Sequence, residues 1–182
     1  ELRRIGNQGG WACHTVFAFS STDIWFEGNI HWDGTRYKVY KNGWPLMPNG
    51  DGWQVNKMWG RSSNDLYAVG NGGNIAHYQN GVWTKIESGT DVGLLDIWGL
   101  DKGNEVYSCG SPDFKPTVLL KIESYKARKV YENSNTALLY PDSLSGKLTS
   151  GINFSKYNHF ILTTKGLYKM IDMEKLRGKR YN

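Results

Sequence analysis

The chain repeats itself at intervals close to forty residues, and this constrains its fold more than any other feature. Val55–Gly70 reads VNKMWGRSSNDLYAVG and Leu94–Gly110 reads LLDIWGLDKGNEVYSCG. The Trp59-Gly60 pair returns as Trp98-Gly99, 39 residues on (98 minus 59), and Gly70 returns as Gly110. A more worn copy, Val16–Gly28 (VFAFSSTDIWFEG), places Asp23 where the second has Asp65 and Gly28 where it has Gly70. A fourth, Ile152–Thr164 (INFSKYNHFILTT), keeps only the alternation of apolar residues. Self-similarity at such a period means that one small structural unit is stacked several times over a continuous core.

Each unit reads as four strands. A short apolar strand such as Lys57–Gly60 or Leu94–Gly99 runs into a polar turn, Arg61-Ser62-Ser63-Asn64 in the second copy. Asp65–Gly70 follows, with Leu66 and Ala68 on one face and Tyr67 and Val69 on the other, the period of two that a strand requires. Asn71-Gly72-Gly73 and Gln79-Asn80-Gly81 are hairpin turns, because Asn and Gly accept positive φ. They bracket a third strand, Asn74–Tyr78, and precede a fourth, Val82–Ile86, which carries Trp83. Composition agrees: aromatic residues make up 14% of the chain, and 22 Gly against 5 Pro supply tight turns. Helical repeats would need apolar residues at i, i+3, i+4 and i+7, and only Asp172–Arg177 could make one helical turn. An immunoglobulin-like sandwich has no need of a Trp-Gly answered by a later Gly.

Four strands in about 40 residues are one blade of a β-propeller. The expected fold is therefore all-β, a propeller of four-stranded antiparallel blades with about four blades in this chain. Residues 1–182 form one propeller domain or part of a larger ring, cut near 13–52, 53–92, 93–148 and 149–182. Two closures are open. The chain makes a small ring, with a strand near Leu2–Ile5 completing the last blade, or it is a fragment or a subunit whose ring is finished by other chain segments. The mid-pattern start at Glu1 favours the second.

The second unit, W-G-x-S-x-x-D-L-Y-A-V-G-x-x-G-x-I-x-H-Y-x-x-G-x-W from Trp59 to Trp83, resembles the tandem propeller repeats of bacterial secreted and cell-envelope proteins. More distantly it is similar to the sialidase-like Asp-box and photosystem-assembly-factor propellers, in which a D-G-x-x-W type turn closes each blade. His31-Trp32-Asp33-Gly34 and His77-Tyr78-Gln79-Asn80-Gly81 stand where that turn would be. The likeness covers Val55–Gly110, extends in part to Cys13–Tyr40 and fades beyond Pro112. It implies a propeller in an extracytoplasmic setting, periplasmic, cell-surface or secreted. It does not imply a ligand, since propellers host unrelated functions.

No reaction chemistry is written into the sequence. Gly70-Asn71-Gly72-Gly73-Asn74 precedes a strand, whereas a phosphate-binding glycine loop opens a helix. His31 and His77 recur at one place in two units and read as structural, as do Asp23 and Asp65, each expected to cap a turn. His14 and His159 add no H-x-H or H-E-x-x-H spacing, so no metal site and no cofactor are expected. Arg36, Arg61 and Arg128 could supply a sialidase-like arginine triad, but nothing ties them together. Cys109 sits in a strand as a small core residue, and a Cys13–Cys109 disulfide would join non-neighbouring blades. No apolar run approaches the roughly 20 residues of a membrane span. Residues 115–182 carry thirteen Lys/Arg against five Asp/Glu, or +8, so residues 1–114 carry −3 of the total +5; this basic half reads as a solvated face, not as a nucleic-acid surface.

What remains is binding. Trp59 and Trp98 follow the repeat and belong to blade packing, whereas Trp11, Trp44 and Trp53 do not. Trp44 lies in Asn42-Gly43-Trp44-Pro45 and Trp53 follows Asn49-Gly50-Asp51-Gly52, settings in which loop aromatics anchor partners or stack on sugars. Trp44, Trp53 and Trp11, with Arg61, are the candidate ligand- or partner-binding residues. Pro112–Pro116 and Asn133–Gly146 are insertions and expected loops. A lectin should repeat its pocket in every blade, and these aromatics do not repeat. The expectation is a non-catalytic binding or assembly module that presents loops to a protein partner, with a carbohydrate-binding propeller second and a glycoside-processing enzyme behind both.

Overall fold

A computed structural model describes residues 14–46, 52–111, 117–133, 147–155, 158–172 and 177–181. They build four antiparallel sheets of four strands each, every sheet ordered as its strands follow in sequence. Blade 1 holds β1 (Val16–Ser20), β2 (Asp23–Phe26), β3 (Ile30–Trp32) and β4 (Tyr37–Val39). Blade 2 holds β5 (Val55–Ser62), β6 (Asp65–Gly70), β7 (Ile75–Gln79) and β8 (Val82–Ile86). In blade 3 are β9 (Asp96–Gly99), β10 (Val106–Gly110), β11 (Thr117–Glu123) and β12 (Lys126–Asn133). Blade 4 has β13 (Leu148–Ser155), β14 (Asn158–Thr163), β15 (Gly166–Asp172) and β16 (Arg177–Tyr181).

The local causes are those the repeat suggests. Asn80-Gly81 joins β7 to β8 with φ of +52° and +83°, the doubly positive turn whose twist matches the strands it connects. Asn71–Gly73 closes as one 3₁₀ turn between β6 and β7. Asp172 and Arg177 belong to strands and pair with each other across β15 and β16, while residues 173–176 between them lie outside the described residues. Leu2–Ile5, Trp11, Cys13, 112–116 and 134–146 lie outside the described residues.

Three apolar clusters hold the array, one at each junction between consecutive blades. Trp25 of blade 1 packs with Met58, Leu66, Tyr78 and Trp83 of blade 2. Tyr67, Ile75 and Leu94 meet Ile97, Val106 and Leu120 of blade 3. Trp98, Tyr107 and Cys109 meet Leu148, Ile161 and Tyr168 of blade 4. Each large side chain buried there contributes roughly 1.5–3 kcal/mol. The inner strands touch in the order β1, β5, β9, β13.

The repeated tryptophans set the approach of the inner strands. A Cβ built on Gly99 would lie 2.5 Å from Cη2 of Trp59 in the blade before it, and one on Gly151 would overlap the ring of Trp98. Only a residue without Cβ admits an indole so close to the backbone, which is why Gly stands at these places. The indole of Trp98 also donates from Nε1 to Asn153 Oδ1 at 3.1 Å. Gly99→Ala and Gly151→Ala should each cost about 1–3 kcal/mol in urea unfolding, as overpacked core sites do. Gly93→Ala, whose Cβ would meet only Asn71 Cα at 3.8 Å, should change stability by less than about 0.5 kcal/mol. Equal effects at all three positions would contradict this packing.

Candidate interaction surface

One cross-strand row recurs in all four blades. It runs Phe17–Trp25–His31 in blade 1 and Trp59–Tyr67–His77 in blade 2. In blade 3 it is Trp98–Tyr107–Lys121, and in blade 4 Ile152–Phe160–Lys169. Residues facing each other on adjacent strands share a sheet face, so each row presents an apolar or aromatic residue, an aromatic and a basic group to the same side. Two residues before the central aromatic, and so on the same face, stand Asp23, Asp65, Glu105 and Asn158.

In three blades that carboxylate pairs with the row's basic end. His31 Nε2 lies 2.8 Å from Asp23 Oδ1, His77 Nε2 lies 2.7 Å from Asp65 Oδ1, and Lys121 Nζ lies 2.6 Å from Glu105 Oε1. The histidines stack on the central aromatics, His31 on Trp25 at 4.6 Å and His77 on Tyr67 at 4.0 Å between ring centroids. Asp23 and Asp65 are thus engaged by side chains and not by turn amides: Asp23 also accepts from the next blade's Ser63 Oγ at 2.6 Å. The cap falls instead to Asp33, whose Oδ1 accepts the Thr35 and Arg36 amides at 2.9 Å each. Those hydrogen bonds, the Arg36 amide foremost, hold its carboxyl well below the usual range.

The sequence-selected residues fall mostly inside this framework. Arg61 donates from Nε to Asp65 Oδ2 at 2.5 Å and from Nη1 to the Gly103 carbonyl at 3.1 Å, so it clamps blade 2 to blade 3. Trp53 is 5% exposed, a core residue and not a loop anchor. Trp44 stacks on it at 5.2 Å between ring centroids and meets the Trp83 ring edge-on at 4.7 Å. The linker between blades 1 and 2 folds back, with Trp83 N donating to the Asn42 carbonyl, and burying these rings against one another outweighs leaving them in water. Trp44 and Trp53 are therefore brought together as packing, Arg61 lies apart from them, and Trp11 lies outside the described residues. Cys109 is fully buried, and burial pushes its thiol far up. Among the described residues no three His, Cys, Asp or Glu gather as metal ligands, and no helix is long and apolar enough to cross a membrane.

The surface that sequence reasoning missed is the row of blade 4. In blades 1 to 3 the row faces the following blade. In blade 4 it faces outward, with Ile152 51% and Phe154 70% exposed; Leu162 and Leu167 on the same face are also exposed. Asn158 replaces the carboxylate, and Lys169 Nζ lies 5.9 Å from the centre of the Phe160 ring. A shallow groove of about 370 Å³ adjoins this face, lined by the β9–β10 turn from Gly99 to Lys102 and by Asn153, Phe154 and Ser155. The signal lies in the alternation Ile152, Phe154, Phe160, Leu162.

No protein-family model and no curated protein matches the sequence. Among solved structures the chain is similar to the extracellular domains of two putative hybrid two-component systems of B. thetaiotaomicron. One is 12% identical with a TM-score of 0.63, over 97% of this chain and 22% of that one. The other is 14% identical with a TM-score of 0.62, over 99% and 26%. YCF48 bound to a D1 peptide is similar at 14% identity and a TM-score of 0.52, over 70% of this chain and 40% of that one. The chain spans from about a fifth to two fifths of the length of these structures. At such identities the likeness shows the fold: this chain is a β-propeller array of about four blades.

The buried pair of blade 2 gives the array a pH dependence. Burial holds the His77 imidazole below its ordinary value of 6.5, against the pull of Asp65. Burial raises the Asp65 carboxyl, but Arg61 and His77 together overcome this and leave it below 3.8. As pH falls through 6.5 the unfolded chain takes up a proton at His77 that the folded chain refuses, so stability drops, by at most about 1.4 kcal/mol per pH unit. Below pH 3.8 the protonation of Asp65 removes more. His77→Gln, which keeps a donor for Asp65 but cannot titrate, should flatten the loss of urea midpoint between neutral pH and the range just below 6.5. An unchanged slope in this variant would contradict the assignment.

Proposed function

We propose that this propeller is a non-catalytic binding and assembly module that docks a protein partner on the outward face of blade 4 and its adjoining groove. One observation carries the reading. The face that buries three blade junctions is repeated on blade 4 with Ile152, Phe154 and Leu162 exposed to solvent, and apolar surface of this kind marks an interaction site. Lys169, with Asn158 where the other blades have a carboxylate, adds a positive charge. The fitting partner segment is therefore apolar with an acidic side chain.

Two further points support this reading over a lectin or a glycosidase. The irregular tryptophans that would stack on sugar, Trp44 and Trp53, pack on each other. The carboxylates of the repeated rows are each engaged by a basic side chain, in the manner of structural groups. The structural likeness to YCF48 bound to a D1 peptide and to extracellular domains is in keeping with peptide recognition in an extracytoplasmic setting.

The test is selection of phage-displayed peptides against the chain immobilised sparsely, so that copies do not meet. Selected clones should be apolar and acidic. Phe154→Asp should weaken their binding about tenfold or more, equivalent to about 1.4 kcal/mol. A glycan array probed in parallel should stay blank. Glycan binding, or peptide binding indifferent to Phe154→Asp, would overturn the proposal.

A further inference from the structure

The seam between blades 3 and 4 differs from the seam one junction earlier. Its groove is walled by the β9–β10 turn, Gly99 to Lys102, and by the end of β13, Asn153 to Ser155. Both walls belong to consecutive blades packed on each other, with Trp98 against Gly151. Between blades 2 and 3 an arginine crosses the corresponding place. Arg61, the residue after Gly60, donates from Nη1 to the Gly103 carbonyl at 3.1 Å. The residue after Gly99 is Leu100, which has no donor to send across. A groove of about 370 Å³ lies there instead, at the small end of the usual range for ligand sites.

A buried amide on this seam lacks part of its hydrogen bonding. Asn153 is 9% exposed, and its Oδ1 accepts from Trp98 Nε1 at 3.1 Å and from His159 Nδ1 at 2.6 Å. An indole N–H can only donate, so the carboxamide is held with its oxygen towards Trp98. The Nδ2 donors then find no acceptor among the described residues, a costly state for a buried group. On the opposite wall Asp101 and Lys102 are exposed and bring one charge of each sign to the groove. Half-buried Leu100 and the Phe154 ring supply its apolar lining.

We infer that this groove binds a free α-amino acid with an apolar side chain. The carboxylate of the ligand accepts from Asn153 Nδ2 and meets the Lys102 ammonium, its own ammonium meets Asp101, and its side chain lies on Leu100 and Phe154. Charge-assisted bonds are the stronger ones, and a ligand with both charges answers a lining with both. Nδ2 is covered from solvent, so the carboxylate reaches it as the β9–β10 turn gives way. That turn is exposed from Asp101 to Asn104, and segments with few buried contacts open at little cost. The site goes beyond the docking of a partner and rests on other residues, Asn153, Asp101 and Lys102.

The test is NMR titration of the isotope-labelled chain with phenylalanine and with leucine. The side-chain amide signals of Asn153 should move with a Kd of about 1 mM, as suits so small a ligand. Lys102→Gln and Asp101→Asn change exposed residues and should each weaken binding about fivefold. Asn153→Asp keeps an oxygen for Trp98 and His159 but sets a carboxylate against that of the ligand, and should weaken binding about tenfold or more. Should it also lower the urea midpoint, the two surface variants decide. Phenylalaninamide should lose its dependence on Lys102 and N-acetylphenylalanine its dependence on Asp101, both binding more weakly than phenylalanine. Asn153 signals that neither amino acid moves overturn the inference. So does binding indifferent to both surface variants, or a capped compound that binds as tightly as the free amino acid. Any of these leaves peptide docking standing, because Phe154→Asp decides that reading, and failure of the peptides leaves this site standing.

Discussion

An indole lying on a glycine of the neighbouring inner strand fixes how closely blades 2, 3 and 4 approach one another, and the other contacts at those two junctions follow from that distance. With Trp59 on Gly99 and Trp98 on Gly151, the central aromatics of blades 2 and 3 reach the next sheet. Tyr107 then packs within 5.6 Å of His159. The same closeness excludes water from the row, so its polar ends must be paired. A buried basic group without a carboxylate would be costly, and Asp65 for His77 and Glu105 for Lys121 meet that need. Lys121, 7% exposed, shows how far the junction can bury a charge once it is matched.

The architecture is local in origin and legible from local signals. Trp59-Gly60 and Trp98-Gly99, the Asn-Gly turn and the strict alternation of Asp65–Gly70 each specify a strand or turn within a few residues. The span read for the fourth strand of the second unit, Val82–Ile86, is that of β8. The recurrence of His31 and His77 points to a structural role, which their stacking on Trp25 and Tyr67 explains. What the histidines bond is hidden, because the partner is a diagonal neighbour across two strands and its separation in sequence differs between blades: 8 residues for Asp23–His31 and 12 for Asp65–His77.

The binding surface is illegible for a related reason. Off-period tryptophans look like loop anchors until the path of residues 40–46 is known, and that path turns Trp44 onto Trp53 and Trp83. Conversely Ile152, Phe154 and Leu162 look like ordinary core by their alternation, yet they are exposed on blade 4. Whether an apolar residue is covered depends on which blade follows, and a single unit's sequence does not carry that information. The function proposed for the chain uses this property: a sheet face of the kind that packs at three blade junctions, exposed on blade 4 at Ile152, Phe154 and Leu162.

The stacking of consecutive sheets through indole on glycine is tested most directly by proton NMR of the intact chain. The account predicts Hα resonances of Gly99 and Gly151 moved well upfield by the ring currents of Trp59 and Trp98, with cross-relaxation from each glycine to the indole protons above it. Ordinary glycine Hα shifts, with no cross-relaxation to either indole, would contradict it.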